Sequence, residues 1–139
     1  MASLILSRRD LEFVLYQCLQ VEQLCQRERY SEHNRATFDA ALDSAEKMAS
    51  ELFAPHNKKN DQHEPHFDGE RVSINPEVKM ALDAFAAAGF VAAGQDAEFD
   101  GMQLPYVVEK ALSTYFTAAN VGTASYPFLS VSNANTILK

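Results

Sequence analysis

The apolar residues of this chain recur most regularly between positions 38 and 52. They occupy the i, i+3, i+4 and i+7 positions of one helix face, namely Phe38, Ala41, Leu42, Ala45, Met48, Ala49 and Leu52. Charged residues, among them Asp39 and Asp43, fall on the opposite face. This spacing predicts an amphipathic helix with one buried stripe. Pro55 predicts its end, because proline lacks an N–H group and clashes with the preceding turn.

A weaker stripe precedes it, and its members are Leu11, Val14, Leu15 and Cys18. It predicts a first helix from about Arg8 into the region of Cys25, with Ser7 as its N-cap. The polar stretch 26–34 is open to two interpretations, a frayed helix end or a connection. Cys18 and Cys25 are the only cysteines and would lie two turns apart on this helix, too far for a disulfide. Buried, reduced thiols are therefore predicted.

Three further helical segments follow the polar stretch that ends at Asn75. Asn75 and Pro76 are a favourable N-cap and first residue for a third helix, and Gly89 suits a left-handed C-cap. That helix is lined by Val78, Ala81, Leu82 and Phe85, and a fourth by Val108, Ala111, Leu112, Tyr115, Ala118 and Ala119. In the last segment Ser125, Phe128, Leu129 and Ser132 share one face. No period-two run is long enough for a sheet, so the predicted class is an all-α bundle of four to six helices.

Charge and hydropathy narrow the functional class. The 139-residue chain has 19 acidic and 12 basic residues, a formal net charge of −7 at pH 7. It lacks the clustered lysine and arginine that displace counterions from nucleic acid, so no nucleic-acid partner is predicted. No apolar run approaches the ~20 residues that span a bilayer, and Arg8 and Arg9 follow the first apolar stretch, the reverse of a secretory signal. We therefore predict a soluble, cytoplasmic protein without a membrane span.

The stretch 56–68 holds six potential metal ligands, which are His56, Asp61, His63, Glu64, His66 and Asp68. Their spacing matches no known metal site, and no helix is predicted to place two of them one turn apart. A solvated polar loop with a turn at Asp68-Gly69 is the favoured interpretation. A hydrogen-bonded structural role and a metal site are the two alternatives. No serine, histidine or cysteine has the partners of a nucleophilic site, so no catalytic residue is predicted.

Several motifs occur in a defined order along the chain. Pro55-His56-Asn57 with Asp61 precedes Asp68-Gly69-Glu70-Arg71-Val72, and Pro76 begins the next helix. Glu98-Phe99-Asp100-Gly101-Met102-Gln103-Leu104-Pro105 fills the loop before the fourth helix. Ala118-Ala119-Asn120 and Tyr126-Pro127-Phe128-Leu129 follow that helix, and Asp10-Leu11-Glu12-Phe13-Val14-Leu15 opens the first one.

This order resembles the N-terminal helical domain of the acyl-CoA dehydrogenases, in particular the subgroup with large chains. Most members have two adjacent glycines in the loop where this chain has Asp100-Gly101. Asp100 tolerates the left-handed backbone conformation better than most residues, so we expect the turn to be kept. The resemblance implies an extension helix with its connection, residues 1–34, and the N-terminal helical domain, residues 35–139. Because no Gly, Asn or Pro follows the last helical segment, we expect a domain truncated at its C-terminal end.

In this family the acyl chain lies between a helix of the N-terminal domain and helices of the C-terminal domain. The corresponding helix here is 125–138. The resemblance therefore implies that Ser125, Phe128, Leu129 and Ser132 contact the substrate tail, with ordinary core packing as the alternative interpretation. Glu109 lies where the family has a glutamate in its next helix, and we interpret it as structural.

The family oxidises acyl thioesters with a catalytic glutamate from the C-terminal helical domain and with a flavin held mainly by the other domains. For the full-length enzyme the resemblance implies FAD, an acyl-CoA substrate, an electron-transfer acceptor and a homo-oligomer. It implies no catalytic, cofactor-binding or metal residue in this chain. We accordingly expect the isolated chain to be inactive and to hold no FAD. The alternative is a free-standing helical interaction or regulatory module, since any bundle has amphipathic helices like these.

Overall fold

A computed structural model of the protein describes residues 5–138, so the ends of both predicted domains, residues 1–4 and 139, lie outside the described part. The α-helices are α1 Arg8–Glu12, α2 Arg35–Met48, α3 Asn57–Gln62, α4 Pro76–Ala87, α5 Tyr106–Ala119, α6 Val121–Ala124 and α7 Tyr126–Ile137. Two short strands, β1 His66–Phe67 and β2 Val72–Ser73, form one antiparallel hairpin. The predicted all-α class is confirmed. None of the helices within residues 5–138 is both long and apolar enough to cross a bilayer.

The core lies between α2 and α5, which pack along each other. Leu42 and Phe38 of α2 are fully buried, as are Val108 and Tyr115 of α5. The predicted stripe of α5 is confirmed except for Ala118, which is exposed, whereas Phe116 was not predicted and is buried. Phe116 packs against Phe85 of α4, so α5 is buried over a wider arc than the pattern indicated.

The first helix is shorter than predicted. α1 widens into a π-helix over Phe13–Cys18, and Gln20 then takes a left-handed conformation with φ of 48°. A short 3₁₀-helix, Val21–Gln26, follows instead of a continuation. The turn changes the direction of the chain, so Cys18 and Cys25 do not share a stripe. The prediction of buried thiols was wrong for Cys18, which is exposed, while Cys25 is half-buried.

The N-terminal segment is held on the bundle by apolar and charged contacts. Leu15, Tyr16 and Val21 join the same buried core as α2 and α5. The Arg8 guanidinium lies 2.9 Å from the Asp43 carboxylate and 2.7 Å from that of Glu12. A second guanidinium, that of Arg35, and a third acid, Asp39, also hold this segment. Arg35 lies 4.1 Å above the Tyr16 ring, and the Tyr16 hydroxyl donates to Asp39 at 2.6 Å.

The second predicted helix does not end at Pro55. α2 continues as a π-helix over Ala49–Phe53 and a 3₁₀ turn over Ala54–His56, which leads directly into α3. Pro55 lies in the first turn of the 3₁₀ segment, where its missing N–H group is tolerated. The Asn120 amide donates to the Phe53 carbonyl at 3.1 Å, which satisfies an acceptor at this irregular point. The π-turn also brings Phe53 into the core, a residue outside the predicted stripe.

The predicted turn and cap positions around α4 are largely confirmed. Gly69 has a φ of 107° in the hairpin turn, and Gly89 has a φ of 79° directly after α4. Pro76 is the first residue of α4 as predicted. The Asn75 side chain accepts no capping hydrogen bond, however; its Nδ2 group donates to Asn60 Oδ1 at 3.0 Å.

Candidate functional site

The predicted substrate-contact residues lie on the outer side of α7. Ser125, Phe128, Leu129 and Ser132 are all exposed, with Phe128 at 64% and Leu129 at 68% of their full accessible surface. Pro127, Val131 and Ala134 are the half-buried residues of this helix. The buried face therefore lies one residue away from the predicted one. Small polar and apolar residues are mixed along α7, so its sequence does not clearly distinguish the buried face from the exposed one. Contact of the four residues with a substrate stays a prediction.

An apolar groove lies between the C-terminal end of α4, α5 and α7. Its volume is ≈ 400 Å³, within the range of about 300–1,000 Å³ typical of small-molecule sites. Three aromatic rings form its floor: the Phe116 ring lies 4.9 Å from that of Phe85 and 5.3 Å from that of Phe90. Val131 and Phe128 line the α7 side. Phe128 is thus the one member of the predicted set that also lines this groove.

The polar groups of the groove come mainly from the first two turns of α5. The Glu109 side chain is 14% exposed, and its Oε1 atom accepts from Lys110 Nζ at 2.9 Å. Lys110 itself lies 4.8 Å above the ring of Tyr106, and both residues line the groove. Ser113 follows one turn later on the same edge. The sequence pattern shows this edge only as the polar side of an amphipathic helix, so it did not distinguish Glu109 from a solvated carboxylate.

Gly94 brings the backbone close to the Glu109 carboxylate. A Cβ atom at position 94 would meet Glu109 Oε2 at 2.5 Å, so the carboxylate occupies space that only glycine leaves free. The Gly94 carbonyl accepts a hydrogen bond from Arg29 at 3.3 Å. This bond connects residues 94–95, which form the rim of the groove, to the N-terminal segment. On the neighbouring residue, the Gln95 amide donates to Asn135 of α7 at 2.5 Å. The rim is therefore held from both sides.

The loop before α5 keeps the turn expected at Asp100. Asp100 has a φ of 57°, in the left-handed region, and Gln103 also adopts it with a φ of 53°. The backbone N–H groups of Met102, Gln103 and Leu104 donate to the carbonyls of Ala92, Gln95 and Ala93. These bonds fold the loop back on the segment that carries Gly94. Its shape follows from backbone pairing that no side-chain pattern reveals.

The N-terminal segment also forms hydrogen bonds with this loop. The Gln103 amide donates to the Arg29 carbonyl at 2.5 Å, and His33 Nε2 lies 3.1 Å from the Gln103 carbonyl. The Arg29 guanidinium also pairs with Asp96. This ion pair and hydrogen bond raise the pKa of Arg29. Contacts over more than sixty positions in sequence thus set the shape of the groove rim.

The candidate ligands of the stretch 56–68 do not converge. Within residues 5–138 no group of three or more His, Cys, Asp or Glu side chains is placed to hold a metal ion. His56 is buried, and its Nε2 atom lies 2.8 Å from the Thr123 hydroxyl. The favoured interpretation of a solvated loop was therefore wrong for His56, where the structural alternative applies. Asp68 caps the hairpin turn: it accepts from the N–H groups of Arg71 and Glu70, which lowers its pKa.

Comparison with known proteins supports the motif-based expectation. No protein-family model matches the chain. The chain is similar to the 3-methylmercaptopropionyl-CoA dehydrogenase of Ruegeria pomeroyi, with 28% identity over 121 residues, or 87% of this chain. It spans 21% of the length of that enzyme. This similarity supports the acyl-CoA dehydrogenase family.

Proposed function

We propose that the chain is the N-terminal helical domain of an FAD-dependent acyl-CoA dehydrogenase. The observation that carries the proposal is the similarity to a CoA-thioester dehydrogenase over 87% of the chain, in a protein that folds as a helical bundle. The reaction would remove two hydrogens from the α,β bond of an acyl thioester. The domain contributes one wall of the acyl pocket, while the catalytic base and most of the flavin site belong to other domains.

The wall consists of the outer face of α7, with Ser125, Phe128, Leu129 and Ser132. Two large apolar side chains beside two small ones form an uneven apolar surface, and all four are exposed in this domain. An acyl chain needs such a surface, because burying its methylene groups contributes about 0.8 kcal/mol each. In the assembled enzyme this face meets the C-terminal helices across the acyl chain.

Enlarging Ser132 tests the proposed wall. In the complete enzyme Ser132→Phe is expected to shorten the preferred acyl chain, since the ring takes the space of the terminal methylene groups. Each excluded methylene contact changes discrimination between adjacent chain lengths by about 1–3 kcal/mol. The measurement is kcat/KM over a series of acyl-CoA thioesters, with Ser130→Phe as an exposed control on the same helix. An unchanged chain-length preference in Ser132→Phe would make α7 a packing element only.

The proposed function assigns FAD, an acyl-CoA substrate and an electron-transfer acceptor to the complete protein, which would be a cytoplasmic homo-oligomer. The isolated chain is then expected to hold no flavin. After purification with excess FAD and gel filtration, its absorbance near 450 nm should be at background, and acyl-CoA should reduce no added electron acceptor. A stoichiometrically yellow preparation would overturn the assignment of the flavin site to other domains.

The second candidate is a free-standing helical interaction module. The observation in its favour is the exposure of Tyr126, Phe128, Leu129 and Ile137 on one short helix, since large exposed apolar patches mark interaction sites. Sequencing of the gene downstream of the Lys139 codon distinguishes the two candidates. An in-frame β-rich domain supports the dehydrogenase, whereas a stop codon together with a stable monomer supports the module.

A further inference from the structure

The groove between α4, α5 and α7 shares only Phe128 with the proposed acyl wall. The wall faces outward from α7, whereas the groove is closed on three sides by elements of this domain. Pro127 and Val131 line the groove, whereas Leu129 and Ser132 do not. Ligand binding in the groove therefore requires no second domain, and it can be examined with this chain alone.

The groove contains one carboxylate oxygen that is free to bind a ligand. Glu109 Oε1 is taken by Lys110, but no donor within residues 5–138 hydrogen-bonds to Oε2. That atom lies over the Gly94 backbone at the groove wall, next to a mainly aromatic floor. A carboxylate oxygen accepts hydrogen bonds and donates none, so a ligand group that binds at this point has to be a hydrogen-bond donor. A ligand with an N–H or O–H group would supply that donor.

The neighbouring ion pair decides the charge of that ligand. Lys110 Nζ lies 2.9 Å from Glu109, so the polar end of the groove carries both signs and no net charge. A cationic head group would be attracted by Glu109 and repelled by Lys110. An anionic head group would be repelled by Glu109 and attracted by Lys110. Each would also lose its hydration on entering an apolar site, which is costly for an ion. A neutral donor avoids both costs.

We infer that this groove binds a neutral amphiphile, an apolar chain that ends in a hydroxyl or amide N–H group donated to Glu109 Oε2. Phe85, Phe90 and Phe116 would contact the chain, and Phe128 would close the groove from the α7 side. Gly94 has a positioning role, since its missing side chain lets the carboxylate lie against the groove wall. Of the four residues of the acyl wall proposed above, the site uses only Phe128.

Three ligands with the same octyl chain but different head groups test whether the groove prefers a neutral head group. Isothermal titration calorimetry with 1-octanol, octanoate and octylammonium, all below their aggregation limits, gives the affinity of the chain for each head group. We expect 1-octanol to bind at least about tenfold more tightly than either ion. ¹H–¹⁵N spectra should place its largest shifts at Gly94 and Gln95. No binding, equal binding of an ion, or shifts confined to the outer face of α7 would overturn the inference.

Two variants separate the charge of Glu109 from its position. Glu109→Gln leaves Lys110 without its partner, so octanoate should gain affinity and overtake 1-octanol. Gly94→Ala keeps every charge, but its Cβ displaces the carboxylate, so the preference for 1-octanol should fall to within about twofold of the ions. Glu51→Gln, an exposed change of the same charge, should keep the wild-type order. The inference is wrong if Glu51→Gln alters the order as Glu109→Gln does, or if both groove variants, folded by circular dichroism, bind like wild type.

Discussion

Gly101 shows how a single residue type sets the rim of the groove. A Cβ atom at this position would overlap the Gln95 backbone carbonyl, which cannot swing away as a side chain would. The same segment accepts three of the loop's backbone hydrogen bonds, so a shift there would disturb the pairing of the whole loop. The glycine is required here by close approach of two backbone segments.

Gly101→Ala is therefore expected to lower the free energy of unfolding by about 1–3 kcal/mol, the usual cost of forcing atoms into a packed site. Gly122→Ala is the matched control, because the nearest heavy atom to its added Cβ lies at 3.5 Å, an ordinary contact. Urea denaturation of both variants checks the prediction. Equal stability of the two would show that the loop can move away from residue 95 without loss.

At the scale of elements, the sequence predicted the interiors of helices better than their ends. The regular stripe of α2 and the caps Pro76 and Gly89 are local signals, and both agree with the structure. The π-turns in the first two helices were missed, because a π-turn shifts the buried face without changing the local composition. Pro55 was interpreted as a stop because proline lacks an N–H group and clashes with the preceding turn of a regular α-helix. The chain instead passes through a π-turn and a 3₁₀ turn here, where Pro55 is tolerated.

Alkaline pH should weaken the contact between the N-terminal segment and α2. Burial raises the pKa of Tyr16 above its ordinary value of about 10, and the bond to Asp39 adds to this. A group whose pKa is raised in the folded state contributes stability below its unfolded pKa and loses it as the pH rises. The free energy of unfolding should therefore fall above about pH 10.

Tyr16→Phe removes the ionising hydroxyl. The free energy of unfolding of this variant should therefore fall less between about pH 9 and pH 11.5 than that of the wild type. Tyr106→Phe removes an exposed phenol and should follow the wild-type slope. Urea denaturation at a series of pH values gives both slopes. Parallel curves for wild type and Tyr16→Phe would show that the Tyr16–Asp39 contact does not couple docking to pH.

At the scale of the whole molecule, the fold class and the resemblance to a dehydrogenase family were within reach of the sequence, and the groove was not. Motif order and periodicity are properties of neighbouring residues, and they led to the helical bundle and to the resemblance. The groove depends on contacts between distant positions, such as Arg29 with Gly94 and Gln95 with Asn135. Glu109 becomes distinctive only because Gly94 lies against it, and no spacing rule relates these two positions.

The proposed role of this chain, as a domain of an acyl-CoA dehydrogenase, can be tested in a chimaeric enzyme. The most direct measurement replaces the aligned segment of the Ruegeria pomeroyi enzyme with this chain and assays dehydrogenation of that enzyme's own substrate. A deletion of the segment provides the baseline. We expect a flavin-containing chimaera whose activity exceeds that of the deletion variant at least about tenfold, a gain of ~1.4 kcal/mol in transition-state stabilisation. A folded chimaera that is no more active than the deletion variant would contradict the assignment.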